Sequence, residues 1–291
     1  MTVSARPKSL SVTEIEHWLR DPYTIYAKHI LKLPQLDPID QRPGAAERGS
    51  IIHGAVGDFA KSFVEALPAD PVPELLRLGA LRFAPLGDFP EVRAFWWPRF
   101  ERIARWFADY ERTRRAGMTA THAEIRGELA IATSRAFRLT GRADRIERRA
   151  DGRYAIIDFK TGAPPSSPQV LIGLAPQLTL EAAMLRRGGF PGIAAGGRIA
   201  ELVYVRLNGG DPPGLERVVD LDGRSPDAVA DAALTRLITL VRRFEDERTP
   251  YRSLILSMWS NRYGTYDDLA RVKEWSLAGG AEEPDMPGVQ P

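Results

Sequence analysis

The sequence is organised around two segments that read Gly141-Arg142-Ala143-Asp144-Arg145 and, after a short polar insert, Tyr154-Ala155-Ile156-Ile157-Asp158-Phe159-Lys160-Thr161-Gly162. The segments are rich in β-branched and aromatic residues and are separated by the turn signal Asp151-Gly152, so we predict a β-hairpin. Because side chains alternate across a strand, Asp158 and Lys160 leave the same face. Antiparallel pairing can bring Asp144 opposite them. We therefore expect two carboxylates and an ammonium group at one end of a small sheet.

This set of side chains is suited to phosphodiester hydrolysis. A hard cation neutralises the phosphate oxygens and lowers the pKa of a bound water. Magnesium prefers oxygen ligands such as Asp144 and Asp158, and manganese also accepts an imidazole such as that of His53. Lys160 can orient the attacking water or stabilise developing charge, and Gln177 on a following helix can hydrogen-bond the water or Lys160.

Other interpretations of these residues remain open at this stage. Asp158 and Lys160 can form a same-face salt bridge, although a carboxylate after the apolar run at 155–157 is partly desolvated and needs a reason to be there. His53 lies at the edge of an apolar helical stripe, where a histidine is ordinarily a packed or surface residue. A glycosidase also needs paired acids, but it has no task for a lysine two residues on.

Composition narrows the class of protein. The chain has 291 residues, of which 44% are hydrophobic and 27% are charged, as in globular proteins. It contains no cysteine, which excludes disulfides, thiolate metal sites and iron–sulfur ligation. We find no run of 18 apolar residues and no apolar core of a secretory signal at the N-terminus. We therefore predict a cytoplasmic protein.

Positive charge is local rather than global. The net charge is only +2, but seven arginines flank the two acidic positions: Arg135, Arg138, Arg142, Arg145, Arg148, Arg149 and Arg153. A solvated strand face is the ordinary explanation of such a run. Beside a metal site, phosphate positioning is the better interpretation, and we assign it to Arg142 and Arg145.

Periodicity predicts an α/β fold with a small mixed central β-sheet and a crossover helix, wrapped by N- and C-terminal helices. We expect helices from the capping box at 11–14, from Asp21-Pro22, over 45–67, around 75–81 and over 91–115. The aromatic stripe of the last of these favours core packing over base stacking. Strands are predicted at 122–133, 136–148, 153–159, 198–207 and 214–221. A crossover helix is predicted at 168–187, broken near Pro176, with further helices from Ser225-Pro226 and over 266–275. We divide the chain into a helical wrap (1–118), a core (119–222), returning helices (223–277) and a disordered tail (278–291).

Taken together, Asp144 and Asp158-Phe159-Lys160 resemble the motif of the PD-(D/E)XK nuclease superfamily, with its restriction-endonuclease-like core. The wider set is similar to the RecB-type branch, because Gly49-Ser50-Ile51-Ile52-His53 lies upstream and Gln177 follows on the next helix. Within that branch the resemblance is strongest to the C-terminal nuclease domain of AddB-type subunits of bacterial helicase–nucleases. It extends over most of the chain, including residues 10–33, 175–183 and 266–275.

The resemblance implies specific roles. His53, Asp144 and Asp158 would be metal ligands, with the Phe159 carbonyl a possible further one. Lys160 would be the catalytic lysine and Gln177 its helper. The implied activity is that of an Mg²⁺- or Mn²⁺-dependent DNA exonuclease acting in double-strand-break repair and recombination on single-stranded ends, in particular the 5′-ended strand. The implied partner is an AddA-type helicase–nuclease subunit. A catalytically silent DNA-binding or scaffold domain is the alternative.

Two positions depart from the family pattern. Glu181 stands where many RecB-type members have a tyrosine, four residues after the glutamine, so no aromatic hydroxyl is available there. Many AddB-type domains join their ends with a four-cysteine iron–sulfur cluster, whereas here Asp21 precedes Pro22-Tyr23 and cysteine is absent. We predict no cluster, and expect packing of Trp18, Tyr23 and Tyr26 against residues 266–275 in its place.

Overall fold

The computed structural model of the chain describes residues 2–35, 42–253 and 266–272. Its elements are, in chain order, β1 (Ser9–Ser11), α1 (Val12–Arg20), α2 (Pro22–Ile25) with a π-helical turn (Tyr26–Ile30), α3 (Ala45–Ser62), α4 (Pro71–Phe83), α5 (Pro90–Arg115), β2 (Met118–Ile131), β3 (Phe137–Arg149), β4 (Tyr154–Lys160), α6 (Ser167–Ile172), α7 (Gln177–Arg186), β5 (Ile199–Leu207), β6 (Gly214–Val218) and α8 (Pro226–Glu245). None of the helices in these ranges has the length and apolar character that crossing a bilayer requires.

The strands form one mixed sheet, as predicted. Their order is β1-β3-β4-β5-β6, and β2 pairs with β3. The predicted hairpin is confirmed, since β3 and β4 are antiparallel with Arg145 opposite Ile157. Gly152 in its turn has a φ of 80°, which a glycine adopts without strain. The short strand β1, which the sequence did not predict, lies parallel to β3.

A broken helix connects the parallel strands β4 and β5, because a parallel pair requires a crossover. The break separates α6 from α7 and leaves Gln177 as the first residue of α7, directly after Pro176. Two hydrophobic cores cover the sheet. Ile156 belongs to a core shared with α1, α7 and α8, and Ile157 belongs to a core shared with α3, α4 and α5. The aromatic residues Phe100 and Phe107 of α5 are fully buried in the second core, as the packing interpretation predicted.

The chain ends differ in part from expectation. The capping box at Ser11 and Glu14 is confirmed. Residues 266–271 form hydrogen-bonded turns rather than the predicted regular helix; residues 273–275 and the predicted disordered tail lie outside the described residues.

The predicted packing of Trp18, Tyr23 and Tyr26 against residues 266–275 stays a prediction, because residues 273–275 lie outside the described part of the chain. Among the described residues, Trp18 packs on the rings of Phe137 and Phe244, and Tyr26 packs on Tyr251. The segment 266–272 reaches this region through a hydrogen bond of 2.8 Å from the Tyr266 hydroxyl to the Leu33 carbonyl.

Candidate functional site

The predicted site residues converge on one cleft of about 1410 Å³ between α3, the middle of β2 and β3, and the C-terminal end of β4. All of them except Arg145 line it, namely His53, Arg142, Asp144, Asp158, Lys160 and Gln177. The hairpin supplies the two aspartates and the lysine, α3 supplies the histidine, and α7 supplies the glutamine. Helices from both sides of the sheet therefore contribute to this cleft.

One group of ligating atoms is centred on His53. Its Nε2 lies 2.9 Å from Asp144 Oδ2, and its Nδ1 lies 3.6 Å from Glu124 Oε1. One ligand atom from each of these three residues lies within 4.8 Å of the others, so the group could hold a metal ion. The sequence prediction did not include Glu124. The residue lies on β2 between pairs that join Ala123 to Arg145 and Ile125 to Ala143, and it therefore stands opposite Asp144.

Glycines on α3 allow the helix to approach these strands. Gly49, His53 and Gly57 are spaced by four residues and therefore share one face of the helix. A Cβ atom at Gly57 would lie 2.7 Å from Glu124 Oε1, and a Cβ atom at Gly49 would lie 2.9 Å from Thr161 Oγ1. The absence of side chains at these two positions leaves room for the Thr161 and Glu124 side chains beside this face of α3.

A second group of contacts joins Asp158, Lys160 and Gln177. Lys160 Nζ lies 2.7 Å from Asp158 Oδ2, which confirms that the two side chains share a face. Gln177 Nε2 donates to Asp158 Oδ1 at 2.7 Å, and Gln177 Oε1 accepts from Lys160 Nζ at 3.2 Å. The backbone N–H of Phe159 donates to Asp144 Oδ2 at 2.9 Å and so links this group to the first. Asp158 lies outside the His53 group, and its carboxylate is held by the lysine and the glutamine.

Burial and neighbouring charges shift the pKa values of three residues in the site. The pKa of Asp158 is raised to about 6, chiefly by burial; the charge of Asp144 contributes to the rise, and Lys160 opposes it. Burial alone would lower the pKa of His53, but its hydrogen bond to Asp144 and the surrounding carboxylates raise it. Burial disfavours the Lys160 ammonium, yet the Asp158 charge outweighs this and raises the lysine pKa. An added cation would relieve the repulsion between the acids and displace the histidine proton.

The donor set fits a divalent metal. Carboxylate oxygens with one imidazole nitrogen are ligands that Mn²⁺ accepts, and the oxygens suit Mg²⁺. His53, Glu124 and Asp144 supply these donors directly, and Asp158 lines the same cleft.

The prediction for Arg145 is wrong. Its side chain is fully buried, forms ion pairs with Glu111 and Glu147, and does not line the cleft. Asp144 and Arg145 are consecutive on β3, so alternation directs them to opposite faces. Arg142 precedes Asp144 by two residues and therefore lies on the same face of β3. It is exposed and lines the cleft, and its Nε lies 3.1 Å from Glu124 Oε2.

Proteins similar to this chain include uncharacterized proteins of Rickettsia species. A protein of Rickettsia bellii (strain RML369-C) described as uncharacterized is 32% identical over 187 residues, covering 63% of this chain and 22% of the relative. An uncharacterized protein of Rickettsia conorii is 30% identical over 191 residues, covering 63% of this chain and 23% of the relative. The chain thus spans less than a quarter of the length of these relatives.

The crystal structure of SSO0001 aligns with a TM-score of 0.40 and 12% identity, covering 91% of this chain and 86% of that chain. Residues 9–254 match the family described as the PD-(D/E)XK nuclease superfamily. Because this match extends over most of the sequence, the chain belongs to the PD-(D/E)XK nuclease superfamily, a group of metal-dependent nucleases.

Proposed function

We propose that this chain is a deoxyribonuclease of the RecB-type branch that uses Mg²⁺, or Mn²⁺ in its place, to hydrolyse phosphodiester bonds at single-stranded DNA ends. The observation that carries the proposal is the convergence of two groups in one cleft. His53, Glu124 and Asp144 form the ligand cluster, and beside it lies the network of Asp158, Lys160 and Gln177.

Each residue has a defined task. The bound cation would neutralise phosphate oxygens and acidify a water molecule. His53, Glu124 and Asp144 would hold it, with Asp158 at the edge of its shell. Without a metal ion, the neighbouring Asp158 charge favours the ammonium form of Lys160 and raises its pKa. Lys160 is therefore suited to stabilising developing negative charge rather than to removing a proton. Gln177 hydrogen-bonds both Asp158 and Lys160 and so fixes the positions of their side chains relative to each other.

A pair of arginines supports DNA as the substrate. Arg126 and Arg142 stand directly opposite each other on β2 and β3, and both line the cleft. Like charges in this arrangement are destabilising. Within the described ranges, Arg126 has no ion pair or hydrogen bond, and Arg142 is paired with Glu124. Along their strands, the two arginines are two residues away from Glu124 and Asp144, which corresponds to about 6.6 Å. We assign it to a phosphate next to the scissile one.

The finer assignments rest on the motif resemblance. We propose exonuclease action on the 5′-ended strand at double-strand breaks, in DNA repair and recombination in the cytoplasm. We further propose that the chain has the role of an AddB-type nuclease domain and acts with an AddA-type helicase–nuclease subunit. The much greater length of the Rickettsia relatives is compatible with a nuclease module inside a larger protein.

The test is cleavage of end-labelled single-stranded DNA with Mg²⁺ or Mn²⁺. We expect Lys160→Ala to reduce kcat by about 10³-fold, as for loss of a group that stabilises transition-state charge, and to leave folding and DNA binding near normal. Lys61→Ala is the matched control, because Lys61 is an exposed lysine in the same cleft. A folded wild-type protein that binds DNA but does not cut it would indicate the silent DNA-binding domain. Unfolding of Lys160→Ala would favour a structural salt bridge.

A further inference from the structure

The chain buries a carboxyl group that the metal cluster and the lysine network do not use. Glu181 lies on α7, one turn after Gln177, and is fully buried. Its Oε2 has no hydrogen-bond partner among the described residues. Burial raises the pKa of Glu181 well above its ordinary value, and the charges of Asp158 and Asp144 add to this. A buried carboxyl without a cationic partner destabilises the fold, so its presence calls for a compensating task.

Within the described part of the chain, Glu181 is hydrogen-bonded to one side chain, that of Gln177. The amide nitrogen of Gln177 donates to Asp158 Oδ1 at 2.7 Å and to Glu181 Oε1 at 3.3 Å. The amide oxygen accepts from Lys160 Nζ at 3.2 Å. A primary amide has two N–H groups, so each of them has a carboxyl acceptor in this arrangement. The plane and the direction of the amide are thereby fixed.

We propose that Glu181 is a positioning residue, which holds the second N–H of Gln177 so that the amide can engage Asp158 and Lys160 at the same time. Glu181 acts through Gln177 and has no contact with the cleft, whose lining does not include it. The proposal deepens the proposed nuclease function and rests on it for its effect on the rate. Its effect on the orientation of Gln177 does not depend on catalysis.

This role has a signature that a purely structural role lacks. Glu181→Met replaces the buried carboxyl by an apolar side chain of similar length, and therefore removes an unpartnered polar atom from the core. We expect the Tm without metal to rise by about 2–4 °C. The second N–H of Gln177 then loses its acceptor. Loss of such an outer partner typically costs about 10- to 100-fold, and we expect kcat to fall by about 10-fold with little change in KM. Stability and rate thus move in opposite directions.

Glu181→Gln is the matched control, because its side-chain oxygen can still accept the N–H of Gln177. We expect this variant to recover most of the wild-type kcat. The side-chain NH₂ signals of Gln177, assigned by comparison with Gln177→Glu, should be protected from exchange in the wild type and in Glu181→Gln. They should lose that protection in Glu181→Met.

The experiment measures kcat and KM on labelled single-stranded DNA with Mn²⁺, the Tm in EDTA, and the amide signals by NMR for the three proteins. A Glu181→Met variant with wild-type kcat, or a Glu181→Gln variant as slow as Glu181→Met, would overturn the proposal. So would a fall in Tm that parallels the fall in rate. If the wild type does not cut DNA, the nuclease function fails, and the Gln177 signals still report whether Glu181 fixes that amide.

Discussion

Adding one methyl group at position 57 is expected to weaken metal binding without lowering the stability of the protein. Gly57 is a buried residue in the interior of α3. A Cβ atom there would lie 2.7 Å from Oε1, 3.2 Å from Cδ and 3.3 Å from Cγ of Glu124. These are the far atoms of a flexible side chain, so the carboxylate can move while the helix stays in place. In Gly57→Ala the Glu124 carboxylate therefore leaves the vicinity of His53.

Gly57→Ala is expected to raise the stability of the protein and to lower its affinity for Mn²⁺. Replacing a helix-interior glycine by alanine stabilises the helix by about 0.5–1 kcal/mol. Displacing Glu124 removes one of the three clustered donor groups. Disturbing the groups that support a metal typically costs about 10- to 100-fold in affinity. At 1.4 kcal/mol per tenfold, this corresponds to about 1.4–2.8 kcal/mol. We therefore expect weaker Mn²⁺ binding in a protein that is at least as stable as the wild type.

The assay is isothermal titration with Mn²⁺ together with urea denaturation in EDTA. Gly54→Ala is the control, because it adds the same methyl group to the same helix against the flexible Arg82 side chain, whose Nε would lie at 3.1 Å. We expect this variant to bind Mn²⁺ like the wild type. Equal Mn²⁺ affinity of Gly57→Ala and Gly54→Ala would refute the assignment of Glu124 to the metal site. A large loss of stability in Gly57→Ala alone would show that the Glu124 side chain cannot move aside.

Two further predictions concern the arginines. Replacing both Arg126 and Arg142 by alanine should flatten the slope of log K against log salt for single-stranded DNA by about 0.7, the contribution of the one phosphate contact assigned to the pair. Arg153→Ala, at the hairpin turn, is the control and should leave the slope unchanged; an unchanged slope in the double variant would place the strand elsewhere. Arg145→Met should lower the free energy of unfolding by about 3 kcal/mol, the low end of the range for a broken buried ion pair, because Glu111 and Glu147 lose Arg145 but keep Arg115 and Arg114. Urea denaturation measures this, and a loss below 1 kcal/mol would contradict the buried ion pairs.

Much of the architecture follows from local signals in the sequence. The alternation around Asp158, the Asp151-Gly152 turn and the interruption at Pro176 are sufficient to predict the hairpin, the mixed sheet and the broken crossover helix. The strand β1 has only three residues, too few to show an alternating pattern. Its stability comes from parallel pairing with β3, a contact between distant parts of the chain.

The candidate site was predictable in part for the same reason. Asp158 and Lys160 are two residues apart on one strand, so alternation alone brings them together. Alternation applied to β3 also places Arg145 and Asp144 on opposite faces of the sheet. The prediction for Arg145 was wrong because it considered the charge of the side chain and not the face on which it lies. Glu124 depends on the register between β2 and β3, and a slip of one residue would turn it away from Asp144. The sequence between these strands has no two-residue turn signal that would fix that register.

The central claim is that His53, Glu124 and Asp144 together bind one divalent ion beside Asp158 and Lys160. The most direct test is a crystal soaked in Mn²⁺, with data collected at the manganese absorption edge. The account predicts an anomalous peak at about 2.0–2.3 Å from His53 Nε2 and from carboxylate oxygens of Glu124 and Asp144. An anomalous peak only at another place, or no peak in this cleft after soaking at saturating Mn²⁺, would contradict it.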